Sequence, residues 1–348
     1  MEKSEYRAVI KFFTRQGKSV ATIMNEMSLV YDDSCPGKTM VYKWHSLFKQ
    51  GRESLEDDPR PGEQSNLHIS EAMAENIKVA VVTGSNKGIG FAIVKGLCEK
   101  FNGVVYLTSR DAKRGEDAVS KLKTLGYNPS FHQLDVNDQA SVDKLKDHIK
   151  NTHGGVDILI NNAGIATDTT DYASVKKVID TNYYGLLRVS ETFFPILRQD
   201  ARIVNVSSSL GHLSKISSAT LREKFSDSSL SVAKLNELME QYLKDYKDNV
   251  AVKKGWAFNG YYVSKVGVSA LTRVHQKLVN EKYQEKNISI NSVHPGYVNT
   301  DMTDHLGILT PDEGAKSSLF AALEAKNLKG QYIWNDNRVV EWTASSAP

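Results

Sequence analysis

Tyr261 and Lys265 stand four positions apart, so on a helix they share a face. A free tyrosine, with a pKa of about 10, is a poor proton relay near neutrality. An ammonium one turn away favours the phenolate and lowers that value. The pair therefore has the makings of an acid–base device, although Tyr-x3-Lys also recurs by chance on solvated helices. A second chemistry-bearing stretch lies upstream, Thr83-Gly84-Ser85-Asn86-Lys87-Gly88-Ile89-Gly90. The mostly apolar run Ile77-Lys78-Val79-Ala80-Val81-Val82 before it reads as a buried strand, and Ile89, Ile93, Val94 and Leu97 after it recur at helical spacing. A glycine-rich turn from strand to helix suits a nucleotide diphosphate, because backbone N–H groups and the helix N-terminus face the anion. The spacing is Gly-x3-Gly-x-Gly, not the common Gly-x-Gly-x2-Gly.

The elements that must position these residues alternate. Val104 to Leu107, Phe131 to Leu134, Val156 to Ile160 and Arg202 to Val206 read as further strands. Ala118, Leu122 and Leu125, and then Val142, Leu145 and Ile149, mark intervening helices. Such alternation predicts an α/β fold, a Rossmann-type doubly wound parallel sheet with helices on both faces. Ligands in such sheets lie at the carboxyl ends of the strands. Gly84 to Gly90, Arg110, Asp135, Asn161 to Gly164, Ser207 and Ser208 all fall there.

The chain has 348 residues, 40% of them hydrophobic, with a net charge of +3. That allows two domains and a proper core, and it points to no obligatory polyanion partner. Cys35 and Cys98 are far apart and lack metal-type spacing, which predicts a reducing compartment and no metal site. The charged N-terminus lacks the apolar run of a signal peptide, and no apolar run is long enough for a bilayer. The expected location is cytoplasmic, or nuclear if the N-terminal unit binds DNA.

Residues 1–62 read as a small all-α domain. Tyr6, Val9, Ile10 and Phe13 form one helical face, with Gly17 as a stop. Ser19 caps a second helix carrying Val20, Ile23, Met24 and Met27. A third turns Val41, Trp44 and Phe48 inward and ends at Gly51, which suggests a helix-turn-helix. The N-terminal run from Met1 to Arg7, Val41-Tyr42-Lys43-Trp44, and the stretch from Gly51 to Arg60 resemble the first DNA-binding subdomain of mariner-type transposases. The resemblance implies a third helix that enters the major groove and offers Lys38, Thr39, Lys43 and His45. This chain departs from that pattern: Pro61-Gly62-Glu63-Gln64 places an acid where a base is expected, and the second subdomain and catalytic domain are missing. Weak DNA binding through residues 1–62 and a folded remnant without a DNA role both remain open. Residues 63–76 are polar and aperiodic apart from Ile69–Met73 and read as a linker, leaving 77–345 as the Rossmann domain.

Across 77–345 the motifs resemble the short-chain dehydrogenase/reductase family, with the nearest look to its monomeric carbonyl reductases. The marks are Thr83 to Gly90, Asn161-Asn162-Ala163-Gly164, Thr181-Asn182, Ser208, Tyr261-x3-Lys265, and Pro295-Gly296-Tyr297-Val298-x-Thr300-Asp301-Met302. The resemblance implies reduction of ketones, aldehydes or quinones. Tyr261 would donate a proton to the carbonyl oxygen while NADPH delivers hydride to carbon. Lys265 would tune Tyr261 and hold the nicotinamide ribose, Ser208 would orient the carbonyl, and Asn182 would support a relay water. Gly84, Asn86, Lys87, Gly88, Ile89 and Gly90 would hold the cofactor. Asp135 and Val136 would flank the adenine, Asn162 would contact the ribose side, and Val298 would anchor the carboxamide.

Charge reads the nucleotide. An acid usually closes the second strand when the ribose has a free 2′-hydroxyl. Here Ser109 holds that place, Arg110 follows, and Lys87 lies in the glycine turn, so two cations can clamp a 2′-phosphate. NADPH is predicted over NADH, with Asp111 blurring the signal.

The interval from Ser208 to Tyr261 is 53 positions, long for the family, and it carries Leu235, Leu238, Met239, Tyr242, Leu243 and Tyr246 at helical spacing. By resemblance it covers the face that oligomeric relatives pair through, which predicts a monomer. Trp256 and Tyr297 are candidate substrate-binding residues in an apolar wall, or plain core. The rival reading is a DNA-binding regulator whose Rossmann domain senses NADPH. The complete Asn182, Ser208, Tyr261 and Lys265 set favours the enzyme, since a sensor need not keep proton-transfer residues.

Overall fold

A computed structural model describes residues 3–56, 77–167 and 169–348, and the chain divides into two compact units, Met1–Glu71 and Ala72–Pro348. The expected linker 63–76 with its Ile69–Met73 patch, Pro59 and Arg60, and the Pro61 to Gln64 departure lie outside the described residues.

In the first unit α1 (Lys3–Arg15), α2 (Val20–Tyr31) and α3 (Lys38–Lys49) enclose Ile10, Ile23, Met27, Val41, Trp44 and Phe48. Gly17 leaves α1 at φ +74°, a conformation that costs glycine little, and the Ser19 hydroxyl caps α2 by accepting from the Thr22 N–H. The Arg7 guanidinium lies 4.3 Å from the centre of the Trp44 ring. Lys38, Thr39 and Lys43 are exposed on α3, as expected. His45 is not: it is half-buried, and its Nε2 lies 3.2 Å from the Lys18 carbonyl, packing α3 against the turn before α2.

The second unit is built on an eight-stranded sheet. Its strands are β1 (Lys78–Val82), β2 (Gly103–Ser109), β3 (Ser130–Gln133), β4 (Val156–Asn161), β5 (Leu197–Val206), β6 (Ser289–Val293), β7 (Tyr332–Ile333) and β8 (Val339–Val340). Their order is β3-β2-β1-β4-β5-β6-β7-β8, parallel except for β8. The order reverses direction between β1 and β4, which opens the crevice where such sheets take ligands.

Strand alternation divides the core. Ala80, Val82, Val105 and Leu107 face α4 (Gly88–Lys100), α5 (Ala112–Thr124) and α12 (Pro311–Leu323). Val79, Val81, Leu159 and Ile203 face α6 (Gln139–His153) and α8 (Leu186–Phe193). Between α7 (Tyr172–Ile179) and α8 the helix passes through one π turn, Asp180–Gly185, and Asn182 sits in it.

The segment between Ser208 and Tyr261 folds as α9 (Ala219–Ser226) and α10 (Val232–Lys247); α10 packs against α11 (Gly260–Lys282), and α9 adds Leu221 and Phe225 to the same apolar cluster. Leu235, Leu238, Met239, Tyr242 and Leu243 are buried there, and Tyr246 is partly buried. Trp256 corrects the substrate-wall expectation. It is 2% exposed, packed edge-on to Phe225 and Tyr242, with its Nε1–H donated to Asp245 at 2.9 Å. It is core, because the insertion folds over it.

Among the described residues no helix is long and apolar enough to cross a membrane. No group of three or more His, Cys, Asp or Glu among them is arranged to hold a metal.

Candidate active site

The turn after β1 is shaped by close approach. Gly84 has φ +59°, and a Cβ there would meet the Ala163 Cα at 2.8 Å. A Cβ on Gly90 would meet the Asn162 Nδ2 at 2.4 Å and the Gly84 carbonyl oxygen at 2.8 Å. Neither neighbour can move, since the Asn162 amide is itself tied to the turn. Its Nδ2 donates to the carbonyls of Thr83 (3.0 Å) and Gly84 (2.9 Å), and its backbone N–H donates to the Thr83 hydroxyl. Asn162 therefore braces the turn with both amide protons and has only its oxygen to offer a ribose.

Along this turn runs a cleft lined by Gly84, Asn86, Lys87, Gly88, Ile89, Gly90, Arg110, Asp135, Val136 and Asn162, all expected from sequence. Arg114 lines it too and was missed; its signal was an arginine four positions after Arg110, in the first turn of the helix. Asp111 lines the cleft as well, between these two arginines in sequence. Its carboxylate caps α5 by accepting the Arg114 backbone N–H at 2.9 Å. The Asp135 carboxylate accepts the Asn137 N–H at 2.9 Å, and Val136 is buried beside it. The residues fit a dinucleotide with a 2′-phosphate: a cradle that side chains would fill, a helix N-terminus at Gly88, and three cations. Lys87 is engaged by the Asp301 carboxylate at 2.5 Å, and this neighbour holds the Asp301 acid below its usual range.

A second cavity of about 560 Å³ adjoins the cleft and shares Ile89, Ala166, Thr300 and Met302 with it. Ser208, Tyr261, His294, Tyr297 and Val298 line it. Tyr261 enters from the first turns of α11, which the Asn259 side chain caps. Its hydroxyl lies within reach of the Ser208 side chain, and the Ser208 Oγ accepts the Leu210 N–H at 3.2 Å. Ser207 is turned away: its hydroxyl is buried between the Lys265 carbonyl and Ser269. Tyr297 is 49% exposed at the rim, with Met302 and Leu306 beside it. Val298 is a buried wall residue.

Lys265 shares the expected face with Tyr261, its Nζ 5.7 Å from the centre of the phenol ring. That Nζ donates to the Val206 carbonyl at 2.7 Å. Burial works against the expected lowering of the Tyr261 pKa. It pushes the phenol up to about 12, partly offset by the Ser208 side chain, and burial pushes Lys265 down to about 8. Both shifts have one cause: each charged form loses hydration, and the two groups are not in direct contact. Near neutral pH the phenol thus keeps its proton and the ammonium its charge.

Asn182 is committed to packing. Its Oδ1 accepts the Ile165 N–H at 2.8 Å, and its Nδ2 donates to the Ile165 carbonyl at 2.9 Å and the Ser264 hydroxyl at 3.0 Å. It ties the Gly164–Ile165 wall to the helix bearing Tyr261. His294, next to the end of β6, accepts backbone N–H groups of Ser209 (2.9 Å) and Gly296 (3.3 Å) on Nδ1, and burial holds it down to about 4, so it is neutral.

Residues 78–220 match the profile of the short chain dehydrogenase family. "Carbonyl reductase [NADPH] 1" of Rattus norvegicus is 39% identical over 278 residues, 78% of this chain and all of that one. The protein of the same name from Homo sapiens is 38% identical over the same shares. Among solved structures, salutaridine reductase from Papaver somniferum superposes with a TM-score of 0.67 at 34% identity, over 73% of this chain and 99% of that one. Menthone neomenthol reductase from Mentha piperita gives 0.64 at 34% identity, over 75% and 99%.

Proposed function

The chain belongs to the short-chain dehydrogenase/reductase family, and from that premise we propose how its residues carry out the reduction of a carbonyl with NADPH. It is an NADPH-dependent carbonyl reductase. The observation that carries the residue roles is the meeting of two cavities: Tyr261 and Ser208 line a chamber that shares Ile89 and Thr300 with the glycine-rich cleft.

NADPH, when bound, supplies the hydride that goes to the carbonyl carbon. Gly84, Asn86, Gly88, Ile89 and Gly90 seat the diphosphate, while Arg110, Arg114 and Lys87 take the 2′-phosphate. Asp135 and Val136 border the adenine, and Val298 borders the nicotinamide end. Ser208 donates a hydrogen bond to the carbonyl oxygen and fixes its direction. Tyr261 gives that oxygen its proton, which completes the alcohol. The Lys265 ammonium stands behind the ring, where it favours the phenolate left after transfer and holds the ribose. Asn182 acts as a positioning residue through Ile165 and Ser264. Tyr297 is the substrate-facing aromatic.

We further take the chain to act as a monomer, because α10 covers α11 with the chain's own apolar side chains. This reading gives the N-terminal helical unit no part in the reduction.

The test is NADPH oxidation by the full chain against menadione, acetophenone and benzaldehyde. Turnover of at least one, lost in Tyr261→Phe, is the expected result. No turnover of any, or a fully active Tyr261→Phe, would count against it.

A further inference from the structure

The carbonyl of Ser208 and the N–H of Ser209 belong to a single peptide unit, and side chains from two neighbouring strands hold its two ends. Tyr332, in β7, donates its hydroxyl hydrogen to the Ser208 carbonyl. His294, the residue after β6, accepts the Ser209 N–H on Nδ1 at 2.9 Å. Sheet register brings them together. β5 pairs with β6 up to Val206 opposite Val293, and β6 pairs with β7 with Val293 opposite Ile333. Three chain segments thus end side by side at the mouth of the cavity.

Both side chains are themselves fixed. Tyr332 is 2% exposed, its ring against His212 and Trp334. The His294 ring lies 4.4 Å from the Trp334 ring. The same segment is held further along, where the Trp342 Nε1–H donates to the Gly211 carbonyl at 2.7 Å and the Leu213 N–H donates to the Trp342 carbonyl at 3.3 Å. Rotation of this peptide would change ψ at Ser208 and φ at Ser209, and so would displace the Leu210 N–H that the Ser208 Oγ accepts at 3.2 Å and that holds the hydroxyl in place. A peptide held by a donor at its oxygen and an acceptor at its hydrogen does not rotate.

We propose that Tyr332 and His294 are positioning residues that lock the Ser208–Ser209 peptide and thereby aim the Ser208 hydroxyl at the carbonyl oxygen. This rests on the reading of Ser208 as a residue that orients the substrate. Neither side chain needs to touch the substrate. Their effect passes through Ser208, so it vanishes once the serine hydroxyl is gone. A residue that merely stabilises the fold would not show that dependence.

The experiment measures kcat, KM and the NADPH dissociation constant for Tyr332→Phe, His294→Leu and His294→Asn, each with Ser208 intact and with Ser208→Ala, on the panel carbonyl turned over fastest. Tyr332→Phe and His294→Leu each lower kcat by roughly tenfold and leave NADPH affinity within about twofold. His294→Asn keeps most of the rate, since its Oδ1 replaces the Nδ1 acceptor. In the Ser208→Ala background none of the three lowers kcat further. Losses that multiply in that background, or wild-type rates for both Tyr332→Phe and His294→Leu, overturn the proposal. Should Ser208→Ala itself turn over at the wild-type rate, the role of Ser208 and the clamp fall together, whereas multiplying losses with an impaired Ser208→Ala sink the clamp alone. If one variant fails to fold, the other side of the clamp supplies the same test.

Discussion

The Lys87 ammonium stands 2.5 Å from the Asp301 carboxylate, joining the glycine-rich turn after β1 to the loop after β6. Both residues line the nucleotide cleft, so the cation proposed for the 2′-phosphate is already engaged by an acid. Both are more than half exposed, and the pair contributes little to stability. Its weight falls on nucleotide choice. Asp301→Asn frees Lys87 and lowers the KM for NADPH relative to NADH. Arg110→Ala and Arg114→Ala each raise the KM for NADPH by roughly tenfold and leave NADH nearly unchanged, since a charge-assisted hydrogen bond carries about that much. Steady-state kinetics with both nucleotides checks this, and equal effects on the two would contradict it.

Tyr261→Phe keeps the ring and removes only the proton donor. Turnover falls by at least roughly a hundredfold, the usual span for losing a positioned acid, while NADPH binding followed by fluorescence is largely retained. Loss of both together would mean that the ring holds the nucleotide and does not serve as the acid.

Lys265 makes stability depend on pH in a direction that can be signed. Its ordinary pKa is 10.5, and burial lowers it to about 8 in the folded chain. Between these values the folded state has released a proton that the unfolded state still holds, so stability rises with pH in this window. Below pH 8 both states hold the proton and the contribution is level. From pH 7.5 to 9.5 the wild type therefore gains roughly 2 kcal/mol relative to Lys265→Met, read from urea unfolding. A difference that stays constant or shrinks would refute the burial of a titrating amine.

Trp256 acts on stability and not on substrate. Trp256→Ala costs about 3–5 kcal/mol and also strips the buried Asp245 carboxylate of a donor. Trp256→Phe is milder and leaves the carbonyl KM unchanged. A KM that moves in Trp256→Phe while the urea midpoint stays put would return this side chain to the substrate wall.

The sequence alone determined the parts whose physics is local. Strand-turn-helix at Val79 to Leu97 was legible because apolar runs, glycines and helical spacing are properties of neighbours in the chain. The face shared by Tyr261 and Lys265 follows from four positions on a helix. The absence of an acid at Ser109, with Arg110 next, already carried the sign of the nucleotide preference, and the helical spacing of Leu235 to Tyr246 announced a folded insertion. Tertiary structure decided what depends on distant partners. Trp256 looked like a wall residue until the insertion closed over it. Lys265 looked like an acidifier of Tyr261, yet burial raises the phenol and lowers the amine, and burial is set by every element packed around α11. Asn162 turned out to brace the glycine turn, and Asn182 to brace the wall at Ile165. The hold of Tyr332 and His294 on the Ser208–Ser209 peptide could not be read from sequence, because its partners lie 85 and 124 positions apart and meet only through the register of β5, β6 and β7.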